Sequence, residues 1–324
     1  KGVTTDETTL VIGHLKHAYL RESDIEPAAL VAGYLGPVVV TFRLTNPLPG
    51  DGKVILDFPP GVDLLPPFIV QAISGMDGLF AVSTVDPRRV IVDRVDGSLV
   101  HSDTLVQFNL TGVRNRVYSG PTGTYQIRTA THDGVLIDGD VEVASDMLRP
   151  GELQNVDVRP DSLVAGVTSK LVVTFAIANP LPHNGGIEVQ LPEGFKFPTH
   201  FTLADGVLNM STAARAVQVH HTAYPIFEGE GQYVLEFQDE RTVVMWRTGI
   251  DNATMPCKYS RPEIEVRRDM ISPGWSGLDD VYRNCTIAFA FENITTRHIP
   301  GESSMYRLRT LRPDRVIVDE ALVD

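Results

Sequence analysis

Val38-Val39-Val40-Thr41-Phe42-Arg43-Leu44-Thr45-Asn46-Pro47-Leu48-Pro49-Gly50-Asp51-Gly52-Lys53-Val54-Ile55-Leu56-Asp57-Phe58 is the stretch whose reading decides the fold. Val38, Val40, Phe42 and Leu44 alternate with Val39, Thr41 and Arg43, and Val54, Leu56 and Phe58 alternate with Lys53, Ile55 and Asp57. A period of two predicts strands with one face buried. Between them two prolines fix φ and an Asp-Gly pair favours a turn, so residues 46–52 are expected to form a rigid loop joining the strands.

The same text recurs. Pro27 to Leu64 aligns without a gap on Pro160 to Phe197 at an offset of 133, with 16 of 38 positions identical, where unrelated chains of ordinary composition agree at about one position in sixteen. Leu30-Val31-Ala32-Gly33, Val39-Val40-Thr41-Phe42 and Asn46-Pro47-Leu48-Pro49 are repeated intact, as are Gly52, Pro59 and Gly61. A second block, Phe108 to Asp138, matches Phe289 to Asp319 at an offset of 181 and keeps Gly120, Tyr125, Arg128, Thr129, Asp133 and Asp138. The chain is a tandem array. Further extended segments are expected at Arg89 to Asp93, Leu105 to Leu110, Thr124 to Thr129 and Val135 to Val143. Seven or so short strands in about 115 residues predict a β-sandwich. The fold expected is all-β, with two tandem immunoglobulin-like domains at 26–143 and 159–324 joined by a linker at 144–158.

The two offsets differ by 48 residues, which places an insertion of that length in the second domain within about 198–288. It contains Cys257 and Cys285, Trp246 and Trp275, and three of the five sequons. Two readings fit: a structural elaboration stapled by a Cys257 to Cys285 disulfide, or a contact surface built on loops. Residues 1–25 precede the first repeat as residues 134–158 precede the second, and Leu15, Asp24 and Pro27 match Leu148, Asp157 and Pro160 at the same offset of 133. They are therefore expected to be the terminal strand of a preceding repeat or a segment that adds to a neighbouring subunit, with a strand packed on its own domain as the plain alternative.

Composition limits the function. The 324 residues are 43% hydrophobic and 21% charged, with mean hydropathy near zero, as in globular proteins. A formal charge of -13 opposes binding to phosphate backbones or anionic lipid, and no apolar run approaches a membrane span of about 18 residues. Five of the ten asparagines, Asn109, Asn209, Asn252, Asn284 and Asn293, begin Asn-X-Ser/Thr sequons, which predicts a secreted protein bearing N-linked glycans.

No chemical constellation stands out. His14 and His17, His220-His221, Asp138-Gly139-Asp140 and Asp279-Asp280 lack the spacing of a zinc site or an EF-hand. No nucleophile elbow, phosphate loop or dinucleotide fingerprint occurs. No metal, cofactor or enzymatic activity is expected. Tyr125 and Tyr306, in identical Tyr-X-X-Arg-Thr settings, suit a sandwich's structural tyrosine. Arg128 with Asp138, and Arg309 with Asp319, are expected to form cross-strand pairs.

With Asn46-Pro47-Leu48-Pro49 ahead of Asp51-Gly52, and strands ending Phe58-Pro59-Pro60-Gly61 or Leu191-Pro192-Glu193-Gly194, each repeat resembles the immunoglobulin-like modules of large secreted proteins in algae and other protists. Those modules serve as rods in cell-surface and filamentous assemblies, mastigoneme hairs among them. The resemblance implies an extracellular structural subunit whose partners are copies of itself or neighbouring repeats. A cell-surface adhesion or glycan-binding module that uses the insertion, with Trp246 or Trp275 stacking on sugars, is the alternative.

Overall fold

A computed structural model describes residues 16–144, 146–182, 184–198, 200–203, 206–209, 232–248 and 286–324. Strands in the first half are β1 (Ala18–Tyr19), β2 (Arg21–Pro27), β3 (Leu35–Arg43), β4 (Lys53–Asp57), β5 (Asp63–Leu64), β6 (Val70–Ser74), β7 (Leu79–Asp86), β8 (Arg89–Val95), β9 (Leu105–Arg114), β10 (Gly120–Pro121), β11 (Tyr125–Ala130) and β12 (Leu136–Val143). Those in the second are β13 (Met147–Leu148), β14 (Gly151–Glu152), β15 (Gln154–Pro160), β16 (Thr168–Ala176), β17 (Gly186–Gln190), β18 (His200–Leu203), β19 (Gly206–Asn209), β20 (Gln232–Phe237), β21 (Thr242–Thr248), β22 (Thr286–Thr295), β23 (Tyr306–Leu311) and β24 (Ile317–Val323). No helix long and apolar enough to cross a membrane occurs among the described residues.

Period-two alternation makes each strand half-apolar, and two such faces must close on one another. In the first sandwich one sheet runs β1-β12-β11-β4-β8-β7 and its partner β2-β3-β9-β5, with β6 also on β9. Val38, Val40, Phe42 and Leu44 meet Val54, Leu56, Phe58, Val90, Val92, Phe108 and Ile127 in one core. The second repeats the plan as β14-β24-β23-β17-β21-β20 against β15-β16-β22, around Leu171, Val173, Phe175, Ile187, Val189, Phe289 and Leu308. The fold is all-β, with two tandem sandwiches.

Both sandwiches kink at equivalent places. Glu22 and Asn155, related by the offset of 133, take φ of 50° and 49° where β2 and β15 slip register against β3 and β16. The bulge in β9 puts Gly112 at φ 83°. Its counterpart in β22 is the sequon residue Asn293 at φ 62°, asparagine being among the side chains that tolerate this region best.

Three expected boundaries shift. Residues 18–25 pack on the first sandwich itself: β1 runs parallel to β12 and β2 antiparallel to β3, with Leu20 and Ile25 inside the core. The apolar phase of the segment fits the first sheet pair, so no neighbouring subunit is needed to bury it. The stretch 144–158 is mostly strand, since β13 pairs with β10, β14 with β24 and β15 with β16. Only Arg149 and Pro150 separate β13 from β14. The extra 48 residues divide. Val90 faces Leu56 and Val243 faces Val189, so β8 and β21 are related by an offset of 153. Twenty extra residues therefore precede β21 and 28 follow it. At this third offset Asp86 and Asp239 close the same hairpin, each accepting from the backbone N–H two residues on, Arg88 at 2.8 Å and Arg241 at 2.7 Å.

Candidate interaction site: the joint between the sandwiches

The residues most faithfully repeated build a clasp. Asp138 on β12 is fully buried, and its Oδ2 accepts from the backbone N–H groups of Thr45 (3.0 Å) and Asn46 (2.8 Å) while Oδ1 accepts from Asn46 Nδ2 (2.8 Å). Asp319 does the same with Ala178 (3.1 Å), Asn179 (2.9 Å) and Asn179 Nδ2 (2.7 Å). Thr129 and Thr310 accept from the two aspartate N–H groups at 3.1 and 3.0 Å. A carboxylate removed from water needs such donors, and here they come from the residues that open the Asn-Pro-Leu-Pro loop. The expected arginine pairs are therefore corrected. With its aspartate taken, Arg128 turns to Asp57 at 3.1 Å, and Arg309 to Glu188 at 3.1 Å and Glu320 at 2.9 Å.

Tyr125 and Tyr306 are buried, each edge-on to a phenylalanine at 5.9 Å, Phe58 in one copy and Phe195 in the other. These are different positions of the repeat, because Phe58 corresponds to Leu191 and Phe195 to Val62. One aromatic is kept while its place moves four residues along the chain. Burial pushes the Tyr306 hydroxyl up to about 12.

The clasp of the second copy also holds the two sandwiches together. Asn179 Nδ2 donates to Ala32 O at 3.1 Å, in the repeated Leu30-Val31-Ala32-Gly33 turn. Val31 bridges Arg149 in parallel, with Ala32 N donating to Arg149 O and Arg149 N to Leu30 O, both at 2.9 Å. Asn115 braces the turn from behind, its Nδ2 donating to Ala29 O (2.8 Å) and Val31 O (3.0 Å). Beside it Ser119 donates to Ile317 O through both N–H (2.9 Å) and hydroxyl (2.8 Å). The guanidinium groups of Arg312 and Arg116 lie over the Tyr118 ring at 4.0 and 4.5 Å, a favourable arrangement for a cation on an aromatic face. Burial draws Arg116 below the ordinary arginine value, and Arg312 nearby adds to this. Backbone bonds of this kind fix the orientation of one sandwich on the other.

Of the expected glycan carriers, Asn109 is half-buried in mid-β9 between Val39 and Gln71, in the outward phase left by Phe108 and Leu110. Asn293 is exposed on its bulge, and Asn209 ends β19. Asn252, Asn284, Cys257, Cys285 and Trp275 lie outside the described residues. Trp246 donates from Nε1 to Glu236 at 2.7 Å, and Arg315 lies over its ring at 5.7 Å. A shallow cleft at Gly194–Lys196 and Asp239–Arg241 carries the exposed Lys196–Glu240 pair, 2.5 Å apart.

Sequence reading missed Arg94, which is 1% exposed and donates to Pro49 O (2.8 Å), Ser98 O (2.9 Å), Asp77 O (3.2 Å) and Asp77 Oδ1 (3.0 Å). Its signal was present: Val90, Val92 and Arg94 share the inward phase of β8. Tyr118, Ser119 and Asn115 gave no signal as joint residues, because Tyr118 and Ser119 differ between the copies and Asn115 becomes Thr296.

No known protein family matches the chain, and no curated protein matches its sequence. Solved structures similar over most of its length include two of unrelated sequence. One is the type II cohesin dyad from the adaptor ScaA scaffoldin of Acetivibrio cellulolyticus, at 10% identity and a TM-score of 0.22, covering 91% of this chain and 88% of that one. The other is a putative membrane anchored protein from Corynebacterium diphtheriae, at 9% identity and a TM-score of 0.25, covering 93% and 89%. Scores this low carry no argument, so the fold rests on the strand pairing and the cores.

Proposed function

We propose that this chain is a non-catalytic structural module of an extracellular, N-glycosylated filament or surface coat. The observation that carries the reading is the joint. Two covalently linked sandwiches would need only a tether to stay together, whereas here two residues separate β13 from β14, three hydrogen bonds of Asn179 and Ser119 run from one unit to the other, and two more hold the connecting Arg149 to the Leu30–Gly33 turn. Such a connection transmits orientation, as a rod requires, and head-to-tail contacts between rods that do not close give filaments. The most buried polar groups support it too, since Arg94, Asp138 and Asp319 are engaged in holding loops. Asn109 and Asn293 on outer sheet faces are suitable carriers for glycans that keep the rod soluble.

The glycan-binding alternative draws less support. Trp246 has its N–H engaged and an arginine over its ring, and a Cβ on Gly186 would stand 2.7 Å from its edge, so the ring is packed at both sides. Electron micrographs of the purified glycoprotein test the proposal. Regular polymers with a repeat along the axis are expected, and isolated compact particles at every concentration would sink it.

A further inference from the structure

The turn that seats the joint in the first copy is present, unaltered in sequence, in the second copy and lies uncovered there. Leu163-Val164-Ala165-Gly166 is built by the same internal bonds: Thr296 Oγ1 donates to Val164 O at 2.7 Å, and Gly166 N to Arg297 O at 2.8 Å, as Gly33 N does to Arg116 O. Leu163 is 86% and Val164 62% exposed where their counterparts Leu30 and Val31 are half-buried, and Ala165 is half-buried where Ala32 is 4% exposed. The receiving face shows the reverse asymmetry. Asn179 is buried under Ala32, and its counterpart Asn46, holding Asp138 in the same clasp, is exposed. Among the described residues, each sandwich therefore presents one unfilled half of a joint whose complete form lies between the two.

We infer that the Leu163–Gly166 turn docks on the Asn46 face of a second copy of this chain, repeating the internal joint between molecules; this rests on the filament reading above. By the offset of 133, Ala165 N donates to Lys16 O, Lys16 N to Leu163 O, and Asn46 Nδ2 to Ala165 O of the neighbour. The flanking contacts change chemistry together. Tyr118 and Ser119 become Ile299 and Pro300, and Arg312 and Ile317 become Thr131 and Leu136. A proline cannot donate as Ser119 does, but Ile299, Val135 and Leu136 are 74%, 65% and 41% exposed, so an apolar patch meets an apolar patch where the internal joint uses cations on tyrosine. Burying both patches favours association.

Val31 and Arg149 form the bridge of the internal joint, so Val164 and Lys16 are its equivalents between molecules. Full-length Val164→Cys and Lys16→Cys chains, mixed and mildly oxidised, are expected to give a covalent dimer containing one of each, at least tenfold above either variant alone or the parent. Equal dimer yield in the unmixed samples, or none in the mixture, overturns the inference. If micrographs of the parent still show polymers, the filament reading survives that failure and a different contact joins the units. If the parent never polymerises, both fall.

Discussion

Asp319 is a buried carboxylate with donors from two backbone amides and one side chain. Replacing it by alanine leaves the two backbone amides without that acceptor and removes one acceptor from Asn179 Nδ2, which keeps Ala32 O, at about 2–4 kcal/mol. Asp138→Ala is expected to weaken the first sandwich by a similar amount, read as a fall in urea midpoint at unchanged slope; a change below about 0.5 kcal/mol in either would contradict the role of the clasp. Tyr306 gives a pH signature. Its hydroxyl, raised to about 12 in the fold, ionises near 10 in an unfolded chain. Below pH 10 both states are protonated and the contribution is intact. Between 10 and 12 only the unfolded state loses its proton, so stability falls by about 2–3 kcal/mol as pH rises. Urea titrations from pH 9 to 12 should show a shallower loss for Tyr306→Phe than for the parent, and parallel curves would refute the assignment.

At the scale of strands and loops, Arg94 decides how the first Asn-Pro-Leu-Pro loop is held. The guanidinium reaches three carbonyls and one carboxylate, and Gly97 lies so near that an added Cβ would sit 2.5 Å from its Nη2. Arg94→Met keeps much of the volume but strands those acceptors, so a loss of about 2–4 kcal/mol is expected by thermal unfolding. A stable Arg94→Met protein would mean that the loop holds itself.

Strands of strong period two were legible because each inward residue carries its own signal: Val38, Val40, Phe42 and Leu44 are all buried as read. β7 was not, since its side chains are half-buried or exposed on a sheet edge and no apolar phase is imposed on it. The division of the insertion escaped for a related reason. β8 and β21 share only Val90/Val243 and Arg94/Arg247 at their offset of 153, with Asp86/Asp239 and Arg88/Arg241 at the turn before them, too few and too scattered to align without the ladder. The clasp was half visible: the identities of Asn46, Thr129 and Asp138 marked it, but sequence could not tell that the aspartate caps a loop instead of pairing with an arginine. The joint was the least legible, being made largely by backbone groups that leave no trace in side-chain identity.

For the whole molecule, the two copies agree in their scaffold and differ in what covers their ends. The chain's charge of -13 makes copies repel at long range, and salt screens that repulsion while leaving apolar burial in place. End-to-end association should therefore tighten between low and physiological ionic strength, seen as a shift of the light-scattering onset to lower protein concentration; weakening with salt would point to a charge-paired contact elsewhere. Sedimentation velocity over a concentration series, comparing the parent with Val164→Asp, tests the propagating joint most directly. Val164 is exposed, so the variant should fold with an unchanged thermal midpoint yet need at least tenfold more protein to assemble. Assembly of Val164→Asp at the parent's concentration, or a parent that stays monomeric throughout, would contradict it.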